Sequence, residues 1–127
     1  MSQQFDTGII PMSAGAAILK YALVQIEADG DIITNVLATR PIGVAQEAAL
    51  AAGDVIPVKL LNASGTQKMR CSTVITAGDP CFTAADGEIG DTASTARLVG
   101  VALETSTADQ DIIEVAVSPF GDDLDVA

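Results

Sequence analysis

The sequence predicts an all-β fold, a small β-sandwich or β-barrel built from two internally repeated halves and preceded by an extended N-terminal arm. Three observations predict it. The apolar residues are aliphatic, with aromatics confined to Phe5, Tyr21, Phe82 and Phe120 and no Trp; β-branched side chains suit a pleated surface. The chain repeats itself at a fixed spacing. In the last segment of each copy apolar residues alternate with others: Ile56, Val58 and Leu60 in the first, Ile113, Val115 and Val117 in the second, the period of a half-buried strand.

The repeat is clearest where Ile42-Gly43-Val44-Ala45-Gln46-Glu47 stands above Val99-Gly100-Val101-Ala102-Leu103-Glu104, a shift of 99 − 42 = 57 residues. The same shift places Ala28-Asp29-Gly30-Asp31-Ile32 on Ala85-Asp86-Gly87-Glu88-Ile89, and Arg40 on Arg97. The register runs without a gap over about 18–60 and 75–117. This gives an N-terminal arm over 1–16, one β domain over 17–117 and an acidic tail over 118–127, with 62–70 as the linker between copies. Arm and tail are expected to be mobile in isolation.

Each copy then reads in the same order. A short strand comes first, over 23–26 and around 81–83. The Asp-Gly pairs, Asp29-Gly30 and Asp86-Gly87, are hairpin turns, because both positions tolerate positive φ. A short strand follows near Ile32 and Ile89, then the Gly-Val-Ala strand opened by Gly43 or Gly100, then the alternating strand. Residues 47–52 look helical by propensity. Their partner, 104–109, is rich in poor helix formers, so both are read as loops. Pro57 lacks a ladder donor, which predicts an edge strand or a bulge there.

Charge and residue inventory exclude several function classes. Seventeen acidic residues against six basic ones give a formal net charge of −11 at 127 residues. Such a field repels nucleic acid and anionic membranes. No apolar run is long enough for a membrane-spanning helix and no signal-peptide pattern precedes one, so the chain is expected to be soluble and unexported. There is no His, which removes His-based acid–base and nucleophilic catalysis. A carboxylate pair is possible in principle, but Glu47 and Glu104 open equivalent loops and read as solvated or as turn caps. Asp29, Asp31, Asp109 and Asp111 lack the ligand series of an EF-hand. Cys71 and Cys81 match no metal spacing and read as buried reduced thiols. A carrier-domain lysine is not matched by Lys68-Met69. No enzyme activity, no metal and no cofactor is expected.

The series Ala77-Gly78-Asp79, Ala85-Asp86-Gly87, Gly100-Val101-Ala102-Leu103-Glu104 and Asp111 to Val117 resembles the capsid cement, or head decoration, proteins of tailed bacteriophages. The first copy carries it more weakly, through Gly43-Val44-Ala45 and Ala51 to Val58. The resemblance implies a β-tulip-like fold and a structural role: binding the outer surface of a phage head and stabilising contacts between major capsid subunits. It implies a virion location, with host cytoplasm during assembly, and a homo-oligomer, a trimer before a dimer. It also implies an arm that adds a strand to the capsid, in which Phe5, Ile9 and Ile10 would anchor and Pro11 would end the pairing. The alternative is a non-catalytic ligand- or carbohydrate-binding β module, which the scarcity of Trp and Tyr disfavours.

Overall fold

The computed structural model describes residues 8–63, 65–93 and 96–117. Among the described residues ten strands follow one another: β1 (Ile9–Ser13), β2 (Leu23–Ile26), β3 (Ile32–Thr34), β4 (Gly43–Ala45), β5 (Val55–Leu60), β6 (Gln67–Arg70), β7 (Pro80–Thr83), β8 (Ile89–Gly90), β9 (Leu98–Ala102) and β10 (Ile112–Val117). They form two antiparallel five-stranded sheets, ordered β1-β5-β4-β2-β3 and β6-β10-β9-β7-β8. The second order is the first moved along the chain by one copy. A parallel bridge from Ala14 to Ile32 joins the two edges of the first sheet, and Cys71 to Ile89 joins those of the second. Each sheet thereby rolls toward a small barrel. The predicted all-β, two-halved fold is what forms.

The 57-residue shift holds bond by bond. Ala14 N–H donates to Asp54 O as Cys71 N–H does to Asp111 O, both at 2.8 Å, and Tyr21 N–H donates to Ala45 O as Gly78 N–H does to Ala102 O, at 2.7 and 2.8 Å. Glycine closes the middle of each barrel. A Cβ on Gly43 would lie 2.6 Å from the Lys59 carbonyl oxygen, and one on Gly100 would strike that of Ala116. Any side chain there would push adjacent strands apart, so these glycines are required by packing.

Burial follows the alternation. Val24, Ile32, Ala45, Ile56 and Val58 fill the first barrel; Cys81, Ile89, Ala102, Ile113 and Val115 fill the second at equivalent positions. Leu23 and Val44, next to inward-facing Val24 and Ala45 on the same strands, join the second cluster instead. The part of the first barrel's outer face that carries Leu23 and Val44 is therefore covered by the second.

Four expectations need correction. The arm over 1–16 and the linker over 62–70 both hold strands: Ile9–Ser13 pairs with β5 and Gln67–Arg70 with β10. They are the same strand of the repeat, which begins earlier than its sequence match. Phe5 and the tail 118–127 lie outside the described residues. Pro57 is on an interior strand, between β1 and β4. It is tolerated because β4 ends at Ala45 and Gln46 N–H donates to the Pro57 carbonyl (2.9 Å); its nitrogen points the same way, past the end of the ladder. The turns differ too. Asp86 and Gly87 both adopt positive φ (62° and 72°), whereas in the first copy Gly30 does (90°) and Asp29 does not. The loops over 47–52 and 104–109 contain no helix.

Candidate functional site

The acidic residues that could suggest chemistry build turns. Asp29 Oδ1 accepts the Asp31 N–H at 3.0 Å. Asp54 Oδ2 accepts the Leu50 and Ala51 N–H groups, and Asp111 Oδ2 accepts those of Thr107 and Ala108. The Thr107 N–H and hydroxyl bonds hold the Asp111 carboxyl below the usual range, since they favour its charged form. Glu104 Oε1 accepts the Glu114 N–H at 2.7 Å. Among the described residues no three His, Cys, Asp or Glu side chains gather to hold a metal.

Both cysteines are free and buried. Burial raises the Cys71 thiol pKa and pushes that of Cys81 up to about 12. Neutral thiols in an apolar interior are poor nucleophiles. The turn residues Asp29, Gly30, Asp86 and Gly87 and the strand glycines Gly43 and Gly100 act as framework.

Ile9, Ile10 and Pro11 sit together on β1, as expected of the arm, but within the sheet. Ile10 faces Val58 and Pro11 faces Pro57. β1 is an edge strand, and Pro11 removes the donor at its centre, which blunts it against a further strand. Within the sheet, Ile9 and Pro11 keep exposed side chains.

One surface escaped the sequence reading. At the loop end of the first barrel, Leu50 is 86% exposed and Leu19 56%. They flank a cleft of about 360 Å³ lined also by Ala17, Ile18, Ala22, Thr34, Ala48, Ala49 and, from the second copy, Asp86. At the equivalent steps of the second barrel stand Thr76 and Thr107. The Leu50 N–H bond to Asp54 is matched by the Thr107 N–H bond to Asp111, so this loop forms without leucine at position 50. Comparing the copies for apolar residues without an apolar partner would have found this surface. Exposed leucines such as these are suited to meeting another protein.

No family model matches the chain, and no curated protein does. Among solved structures, the head fiber gp8.5 N base in bacteriophage phi29 superposes with a TM-score of 0.70 at 22% identity. The chain shares that fold. The match covers 87% of this chain and 92% of that one, too much for one barrel alone. The likeness is therefore to the two-barrel arrangement as well as to its unit.

Proposed function

We propose that this chain is a structural, non-catalytic protein of a bacteriophage head, bound to the outer face of the capsid and stabilising contacts between its major subunits. The observation that carries the reading is the fold likeness to a phage head fiber base over nearly the whole of both chains. The acidic surface supports it, since a net charge of −11 keeps the protein off the genome it helps to enclose. Many copies on a symmetric lattice gain from avidity, so each contact can be weak. We assign the capsid contact to the loop end with Leu19 and Leu50, in place of the strand-adding arm. A trimer on the lattice remains part of this proposal.

The test is co-sedimentation of the purified protein with undecorated, expanded capsids of its source phage. Saturable binding at a fixed ratio to the capsid protein is expected. Leu19→Thr and Leu50→Thr, which import the second copy's residues, should each weaken binding by about tenfold, the effect of losing one buried leucine at a contact. Absence of binding by the unmodified protein would sink the phage-head reading. A ligand-binding module is the rival, because the cleft is within the size range of small-molecule sites. Its lining has no aromatic platform.

A further inference from the structure

The joint between the barrels is a contact for which the chain carries both surfaces twice. Leu23 and Val44, on the outer face of the first barrel, are completely buried against the second. From the second barrel, Met69 (fully buried) belongs to the same buried cluster, Gly87 lies so close that an added Cβ would be 2.8 Å from the Leu23 carbonyl oxygen, and Thr83 (1% exposed) donates its hydroxyl to the Leu37 carbonyl at 2.5 Å. The open edge of β6 docks through its backbone, Arg70 N–H donating to the Tyr21 carbonyl at 3.3 Å.

Moving each residue by one copy gives its image, and the images are uncovered. Leu23 and Val44 become Pro80 and Val101; Pro80 is exposed and Val101 is 42% exposed. Met69 and Thr83 become Met12 and Ile26; Met12 is half-buried and Ile26 is 48% exposed. The backbone pair becomes Ser13 N–H and the carbonyl of Gly78. The strands beneath these images have the same order and matching pairing as in the joint, so the strand framework of a second joint is already present on both sides, while Gly30, the image of Gly87, stands in a differently shaped turn.

We infer that a second copy of this chain completes them: the outer face of the second barrel, with Pro80 and Val101, seats on the first barrel of the next copy against Met12 and Ile26. Ser13 N–H of that copy then donates to the Gly78 carbonyl, as Arg70 does to Tyr21. In the intermolecular contact Ile26 stands where the joint has Thr83, and Pro80 where it has Leu23. Two different surfaces meet, so the association is head to tail and either closes into a ring or extends as a filament. It requires no capsid, and its failure would leave the capsid reading untouched.

The test uses the full chain and two charge-introducing variants at exposed positions, Val101→Glu and Ile26→Glu, each checked for fold by circular dichroism and thermal unfolding. Light scattering should give a multiple of the monomer mass for the unmodified protein and a monomer for each variant. Mixed one to one, the variants should form a heterodimer and nothing larger. The Val101→Glu chain keeps its first-barrel surface, and the Ile26→Glu chain keeps its second-barrel face. A monomeric unmodified protein at every soluble concentration overturns the inference. So does a variant that keeps the parent mass, or a mixture that stays monomeric.

Discussion

Val44 and Val101 occupy the same step of the same strand in the two barrels, with the same Gly before and the same Ala after. One is sealed from water and the other is 42% exposed. Their immediate neighbours are identical, so burial at this step is decided by which barrel lies alongside. Tyr21 and Gly78 make the complementary point. Both adopt positive φ, 65° and 93°, and both donate the equivalent backbone bond. Glycine takes that conformation at no steric cost. Tyr21 takes it where its ring packs against the second barrel's core and lies under the Lys20 and Lys68 ammonium groups, 5.1 and 5.9 Å from the centroid. The repeat fixes the backbone of the strands, while the joint fixes what the side chains are for.

The comparison can be broken most directly at the valines. Val44→Ala should cost about 2 kcal/mol or more, from lost burial and the cavity left behind. Val101→Ala should stay within about 0.5 kcal/mol. Urea unfolding at concentrations low enough to keep the chain monomeric measures both; equal losses would mean that the joint does not set burial. A smaller effect is expected at the left-handed turn. Gly78→Ala places a Cβ in open space, so its cost of about 1 kcal/mol is backbone strain alone. Tyr21→Gly relieves similar strain but forfeits the ring contacts, and its net change should be smaller than that of Gly78→Ala.

The smallest expected effect concerns Glu88, buried where its counterpart Asp31 is half-buried. Burial is the main cause that raises the Glu88 pKa, helped by Asp109 and Asp86 and opposed by Arg70. The folded protein thus binds this proton more tightly than the unfolded chain, and stability from this group rises as pH falls through the raised pKa toward the ordinary carboxyl value. Glu88→Gln should therefore raise the melting temperature at neutral pH, with the advantage shrinking as pH falls. A gain that persisted unchanged into acid would show that protonation of Glu88 is not its source.

Much of the fold was legible because the copies check each other. Gly43 and Gly100 marked the close approach of strands, and the alternation around Ile56 and Ile113 marked the inward faces. β1 and β6 were missed because Ile-Pro-Met-Ser and Gln-Lys-Met-Arg share a single residue, Met12 with Met69. Edge strands have a partner on one side alone and are less constrained in composition than the strands between them. Gly8 and Gly65, both at positive φ and 65 − 8 = 57 residues apart, were the signal that the repeat began earlier. Leu19 and Leu50 were hidden in an alanine-rich context, where an exposed leucine and a buried one look alike. Pro57 was misplaced because strand position and ladder length both decide whether a missing donor matters.

β5 ends at Leu60 and β6 begins at Gln67, so a few residues of chain hold the two barrels against each other. A tether that short sets an effective concentration on the order of millimolar. The internal joint can therefore form with an intrinsic affinity too weak to hold separate barrels together. A contact of the same design between molecules has no such tether. It must draw on protein concentration, on the apolar surface of Ile26, or on a lattice that gathers the copies, so assembly becomes a function of how crowded the chain is.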